Sequence, residues 1–163
     1  MNRIEVKSER RRSSVSKVNQ SQRVRPTVMA LEARTLLSTF TVNSTADDGS
    51  AGTRWVIGQA NAGNGADTIG FSNLFNTPHS ITLKGGTLLL TDTATTTING
   101  PGANLLTVSG GGKSRVFDID GASAALSGLT ITGGSAESGG GLRNVGGTMA
   151  LTNCTVSGNA ATD

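Results

Sequence analysis

The sequence lacks tyrosine and has one tryptophan, one cysteine and three prolines, and aromatic residues make up only 3% of its 163 residues. This scarcity argues against a compact core built from bulky rings. A single cysteine permits no intrachain disulfide, and with one histidine the chain has too few ligands for a zinc site. No apolar run reaches the roughly 18 residues of a membrane-spanning helix. Glycine shows no three-residue period, which excludes collagen.

Glycine and small polar residues dominate the composition. Glycine, threonine, serine and asparagine together supply 74 of the 163 residues. Charged residues supply only 15%, below the roughly 25% of an ordinary globular protein. These proportions are typical of a turn-rich β protein built from small and β-branched side chains, and by themselves they also permit a disordered chain.

Charge is divided unevenly along the chain. Residues 1–34 hold nine basic and three acidic residues, a net of +6, whereas residues 35–163 hold five basic and eight acidic residues, a net of −3. We therefore interpret residues 1–38 as a basic, disordered arm of the targeting type. A basic arm can bind phosphates. Because residues 1–34 contain no aromatic side chain to stack on bases, we expect no nucleic-acid partner.

The chain after residue 38 consists of short apolar segments separated by turns rich in glycine, asparagine, serine and aspartate, and it shows no long helical period. The segments predict strands of two to five residues at 39–42, 68–71, 80–83, 87–90, 95–98, 105–108, 116–119, 125–126 with 129–131, 141–143, and 149–151 with 154–156.

A repeat of 25 residues relates the last of these segments to one another. Residues 125–133 align with residues 150–158, so that inward-facing apolar residues match, Cys154 among them as a small buried residue. Gly128 aligns with Asn153, and both residue types tolerate a positive φ. The alignment therefore predicts two short strands separated by a left-handed turn residue in each unit.

Such a unit cannot bury its inner row of side chains alone, so units must stack about 4.8 Å apart and pair their strands. The pattern predicts a β-solenoid of four or five coils over residues 67–163. We expect Phe71 and Phe117 to stack inside it.

Two segments carry a resemblance to a known family. Residues 139–159 read GGGLRNVGGTMALTNCTVSGN, and residues 41–61 and 65–71 read TVNSTADDGSAGTRWVIGQAN and GADTIGF. They resemble the coil and the strand–helix–strand opening of right-handed parallel β-helix proteins of the pectate-lyase-like fold. These include the polymorphic outer-membrane-protein type and CSLREA-domain surface proteins. The resemblance covers residues 31–72 and 120–159.

The resemblance implies an all-β fold, a right-handed single-stranded parallel β-helix over residues 39–163. A short helix at 53–61 would cap its N-terminal end, with Thr53 as the N-cap residue. The expected apolar surface of the helix comprises Trp55, Val56 and Ala60. No C-terminal cap is recognisable.

Residues 31–37 read LEARTLL and resemble the LEPR-XLL N-terminal segment of large exported proteins of planctomycete-type bacteria, with Ala33 where the motif has proline. The segment follows the basic arm and precedes the β domain. The resemblance implies export to the cell surface or the extracellular space.

Three residues are candidates for ligand binding. Asp118 and Asp120 flank Ile119 and are expected to face outward, and Arg115 lies just before them. Pectate lyases use outward carboxylates to hold Ca²⁺ and an arginine to abstract a proton, but several carboxylates on adjacent coils are needed. A solvated strand face is the alternative interpretation. No set of catalytic residues is recognised.

Two further motifs are considered. Residues 62–70 match a calcium-binding nonapeptide except at Ala62, which makes Asp67 a candidate metal ligand and Ca²⁺ the one cofactor considered. Because a single copy is present, a turn leading into a strand is the alternative. Residues 112–114 resemble the end of a phosphate-binding P-loop, but Thr107 stands where its first glycine is required, so we interpret them as a turn.

These features predict a non-enzymatic, exported or cell-surface module that acts as a structural spacer or an adhesion surface, with polysaccharide or cell-surface components as partners. The alternatives are a carbohydrate-active β-helix, either a polysaccharide lyase or a sugar-binding relative, and a nonfunctional fragment of a longer surface protein. Since Asp163 aligns with Ser138, just before another coil would begin, we expect a truncated family member that associates end to end through its C-terminal coil.

Overall fold

The structure, a computed structural model, describes residues 37–163. The predicted arm 1–38 and the segment 31–37 lie outside the described residues, apart from Leu37 and Ser38. The elements are β1 Ser38–Val42, α1 Thr53–Asn61, β2 Asp67–Phe71, a 3₁₀ turn Asn73–Asn76, β3 His79–Thr82, β4 Leu88–Leu90, β5 Thr95–Asn99, β6 Leu106–Ser109, β7 Phe117–Asp120, β8 Ser123–Ser127, β9 Thr130–Thr132, β10 Ser135–Ala136, β11 Leu142–Val145, β12 Thr148–Thr152, β13 Thr155–Val156 and β14 Ala160–Ala161.

The predicted strand-rich, all-β class is confirmed, as is one short helix. Each predicted strand coincides with an observed strand to within two residues at either end. The two-residue strands β10 and β14 were not predicted, because so short a segment carries no alternation of apolar and polar residues.

The strands form three larger parallel sheets and one two-stranded sheet. Sheet 1 has the order β1-β2-β5-β8-β12, sheet 2 the order β3-β6-β9-β13, and sheet 3 the order β4-β7-β11, while β10 pairs with β14. From β2 onward, the chain visits sheets 1, 2 and 3 in that order and then begins again. Each strand inside a sheet therefore hydrogen-bonds to the strand one circuit earlier and to the strand one circuit later, whereas the first and last strands of a sheet have one neighbour.

The predicted 25-residue register is confirmed in the last circuit. Leu126 lies opposite Leu151, and Ile131 lies opposite Val156. In an earlier circuit Ile98 lies opposite Leu126, an offset of 28 residues, because the connections between strands are longer there. Inward positions thus match even where the sequence repeat is not constant.

The inward side chains of the three sheets share one apolar core. Ile69, Ile98 and Leu126 form one of its rows, since they lie opposite one another in sheet 1 and are each at most 1% exposed. The expected stacking of Phe71 on Phe117 is wrong. Phe71 instead contacts Phe75 edge to face, with ring centroids 5.2 Å apart, because the 3₁₀ turn after β2 brings Phe75 into the core.

Helix α1 packs against β1, β2 and β4. The prediction that Thr53 caps it is wrong, because Gly52 is the extended N-cap residue and Thr53 is a buried first-turn residue. A Cβ atom at position 52 would come within 2.7–2.9 Å of three carbonyl oxygens, so the close approach of the backbone requires glycine. Of the expected apolar surface, Val56 and Ala60 are buried as predicted, but Trp55 is 44% exposed. Ile57, which was not predicted, is buried in the core.

The predicted left-handed turn residues are confirmed. Gly128 has φ +60°, and the equivalent Asn153 has φ +53°. The two positions differ in packing, because a Cβ atom at Gly128 would lie 2.6 Å from the carbonyl oxygen of Gly100 in the preceding circuit.

We expect Gly128→Ala to lower the free energy of unfolding by about 2–4 kcal/mol, since it adds backbone strain and a steric conflict. Asn153→Ala adds only the strain and should lower it by about 1 kcal/mol. Urea unfolding of both variants measures the difference. Equal losses would contradict the packing argument.

Candidate functional site

Asp118 is a buried ion-pair centre and does not lie on a solvated strand face. Its side chain leaves β7 on the side opposite the core, yet the residue is only 5% exposed, because two arginines cover it. Arg115 Nη1 donates to Oδ2 at 3.0 Å, and Arg143 donates from Nε to Oδ1 at 2.9 Å and from Nη2 to Oδ2 at 2.6 Å. Both carboxylate oxygens are therefore occupied.

The arginines connect neighbouring circuits. Arg115 also donates to the carbonyl oxygens of Gly139, at 3.0 Å, and Ser138, at 2.7 Å. Arg143 lies directly opposite Asp118 in the pairing of β11 with β7. The hydrogen bond from Arg143 to Asp118 raises the pKa of this arginine, with burial opposing the shift and the charge of Asp120 adding to it.

The three ligand-binding candidates thus have different surroundings. Arg115 and Asp118 are joined in the ion-pair network, whereas Asp120 is exposed at the end of β7. Sequence reasoning missed Arg143, although the 25-residue register places position 143 opposite position 118 and contains the necessary signal.

The metal candidate Asp67 begins β2 and is 2% exposed. One of its oxygens accepts the backbone N–H of Ser38 at 3.2 Å, and the other is buried with no hydrogen-bond partner among the described residues. Within residues 37–163, no group of three or more histidine, cysteine, aspartate or glutamate side chains is placed to hold a metal ion.

A second buried carboxylate, Asp47, was not identified from the sequence. Its Oδ2 accepts the backbone N–H groups of Lys84, at 2.8 Å, and Gly85, at 2.9 Å. Arg54 Nη2 donates to the same oxygen at 3.0 Å. The backbone partners Lys84 and Gly85 lie 37 and 38 positions after Asp47 in the sequence, so no local pattern indicates these contacts.

Arg54 completes this arrangement by donating to the carbonyl oxygens of Gly86, at 2.6 Å, and Thr87, at 2.9 Å. Asp47 and Arg54 together thus bind four consecutive residues, 84–87. This segment connects β3 to β4 and is held in one conformation by the ion pair.

A groove of about 440 Å³ lies beside this connection. Its lining residues come from the end of β3, from the connection after β3 and from the corresponding connection after β6: Thr82, Leu83, Lys84, Gly86, Gly111, Lys113 and Ser114. The turn predicted at 112–114 is confirmed, because the N–H groups of Lys113 and Ser114 both donate to the carbonyl oxygen of Gly110. The lining contains two lysines and no acidic residue.

Comparison with known proteins adds no family to these observations, since no family model, curated protein or solved structure matches the chain. Within residues 37–163, no helix has the length and apolar character needed to cross a membrane.

Asp118→Asn should lower the free energy of unfolding by about 3 kcal/mol, because it leaves the largely buried Arg115 without its counter-charge. Arg143→Ala should have a smaller effect, since 40% of this side chain is exposed and Arg115 continues to neutralise Asp118. Urea unfolding at neutral pH measures both. A larger effect of Arg143→Ala would contradict the assignment of Asp118 as the centre of the network.

Asp47 should make the free energy of unfolding depend on pH in the acid range. Burial alone would raise the pKa of Asp47, but hydrogen bonds from Gly85, Lys84 and Arg54 outweigh burial and hold the pKa below its ordinary value of 3.8. A depressed folded-state pKa contributes stability above about pH 4 that is lost as the pH falls through the folded-state value. In Asp47→Asn, this part of the acid-induced loss should disappear. The exposed neighbour Asp48 supplies the control Asp48→Asn, which leaves the hydrogen bonds of Asp47 in place and should keep this part of the acid-induced loss.

Proposed function

We propose that residues 39–163 form a right-handed single-stranded parallel β-helix. The proposal is supported by the cyclic order in which the chain visits sheets 1, 2 and 3 and by the parallel pairing of every successive circuit. Parallel strands in one sheet are joined by right-handed crossovers in about 98% of cases, which favours the right-handed form.

We further propose that this chain is a non-enzymatic module, exported or at the cell surface, that serves as a structural spacer or an adhesion surface. The observation that carries the proposal is that the Asp118 carboxylate is engaged in internal ion pairs. This residue is one of the three candidates for ligand binding, yet both its oxygens are bound by arginines that connect neighbouring circuits. Its arrangement is that of a structural link.

The outer face of sheet 2 supports an adhesive role. Hydroxyl side chains occupy equivalent outward positions in four successive strands, which pair in register: Ser80, Thr107, Thr130 and Thr155. Neighbouring strands lie about 4.8 Å apart, so these side chains form a regularly spaced polar ladder. The Thr130 hydroxyl already donates to the carbonyl oxygen of Ala103 at 2.7 Å. It can still accept a hydrogen bond, and the other three hydroxyls can bind the hydroxyl groups of a polysaccharide or of other cell-surface components, so the ladder favours sugar binding as a second candidate function.

We also propose that a second copy of the chain pairs with the β12 and β13 edges. Among the described residues, each of these strands has a neighbour on one side only. Leu151 and Val156 at this edge are 40% and 45% exposed, whereas their counterparts Leu126 and Ile131 are buried. Pairing would satisfy the open backbone groups and cover these apolar side chains.

An assay of the purified full chain on polygalacturonate, with and without Ca²⁺, distinguishes the module from a lyase. We expect no rise in the ultraviolet absorbance of unsaturated uronides, while a known pectate lyase in parallel produces one. Calcium-dependent cleavage by this chain would overturn the proposal and establish the lyase alternative.

Location and association are tested on the same protein. In the source cells, a tagged full chain should be degraded by externally added protease, and retention inside intact cells would contradict the proposed export.

Sedimentation over a range of concentrations should show association that Leu151→Lys reduces. A monomer at all concentrations would contradict the proposed pairing of β12 and β13.

A further inference from the structure

The groove between the connections after β3 and β6 has the character of an anion site. We propose that it binds the phosphate monoester group of a sugar-sized molecule, with Lys84 and Lys113 supplying the charge. This inference goes beyond the structural role proposed above and does not depend on it.

The distribution of positive charge is the first argument. Residues 37–163 contain five basic side chains, and three of them, Arg54, Arg115 and Arg143, form ion pairs with buried carboxylates. The remaining two, Lys84 and Lys113, form no ion pair with the described residues, and both line this groove. The groove therefore concentrates positive charge on a part of the chain whose net charge is −3.

The chemistry of the donors indicates the kind of anion. A planar carboxylate is best matched by the fork of an arginine, as at Asp118, whereas a lysine ammonium is a compact charge with three rotatable donors. Two lysines complement the two negative charges of a phosphate monoester. Thr82 and Ser114 also line the groove, and each carries a hydroxyl group as a neutral hydrogen-bonding group.

Both walls of the groove are held in place before any ligand arrives. On one side, Asp47 accepts the backbone N–H groups of Lys84 and Gly85, and Arg54 donates to the carbonyl oxygen of Gly86. On the other side, the N–H groups of Lys113 and Ser114 close a turn onto Gly110. A preorganised site loses less conformational entropy on binding.

The size of the groove argues for more than a bare ion. Its volume of about 440 Å³ lies within the roughly 300–1,000 Å³ of small-molecule sites. Gly86 and Gly111 place no side chains in it, and Gly86 has open space where a Cβ atom would be. The anionic group would contact the lysines while the rest of a sugar-sized ligand occupies the remaining space.

Nuclear magnetic resonance titration of the full chain with glucose 6-phosphate tests the proposal. We expect saturable shifts of the backbone amide signals of Gly86 and Gly111, no shifts with glucose, and weaker binding of glucose 6-sulfate, which carries one charge fewer. Lys84→Ala and Lys113→Ala should each weaken binding by about twofold to fivefold, the range of exposed ion pairs. Added salt should also weaken binding.

Lys84→Arg and Lys113→Arg are the matched controls, because each keeps the positive charge at its position in the groove. Each should bind glucose 6-phosphate more tightly than the corresponding alanine variant. Both substituted lysines are exposed, so an unchanged circular dichroism spectrum and an unchanged unfolding midpoint are expected for each variant. The proposal is overturned by the absence of saturable shifts, by parental affinity in the variant that lacks both lysines, by equal losses in the arginine and alanine variants, or by equal affinity for the sulfate ester.

Discussion

The in-register stacking of parallel strands is the constraint on which the described part of this protein depends. Each circuit is too short and too poor in aromatic residues to bury an apolar core alone. Stacking places Ile69, Ile98 and Leu126 against one another and pairs the backbone of each strand inside a sheet with two neighbours. Because a strand spacing of about 4.8 Å must be maintained at the corners as well, backbone segments approach closely there, and glycine or asparagine supplies the left-handed turns.

Buried carboxylates hold the connections that stacking alone does not order. Asp47 and Asp118 lie in different circuits, yet each binds an arginine that also donates to two carbonyl oxygens of one connection, Arg54 in the first case and Arg115 in the second. A buried ion pair is a poor source of net stability by itself. Here the ion pairs fix the position of the connections. Without them, the irregular backbone would leave buried polar groups without hydrogen-bond partners.

The buried ion pairs also determine where unpaired positive charge lies on the surface. Because Arg54, Arg115 and Arg143 are engaged with carboxylates, the unpaired positive charge of the described residues belongs to Lys84 and Lys113, on two corresponding connections. Stacking brings these connections together although the lysines are 29 positions apart in sequence. The stacking of the two connections therefore forms the groove. The groove is positively charged because the internal ion pairs use the three arginines of the described residues and leave the two lysines unpaired.

Local patterns in the sequence were sufficient for the strands of the three larger sheets, the left-handed residues Gly128 and Asn153, and the 25-residue register, because each depends on neighbouring residues or on a short repeat. The helix was predicted from the resemblance of residues 41–61 to a known family. The same register also implied the contact between Arg143 and Asp118. Only the tertiary structure decided that Asp118 is buried, that Gly52 rather than Thr53 caps the helix, and that Asp47 binds residues 84 and 85. The burial of Asp118 and the contacts of Asp47 depend on which groups meet across different circuits, and connections of variable length decide that outcome. The Gly52 cap depends on how closely the loop before α1 folds back onto the carbonyl oxygens of residues 46–48.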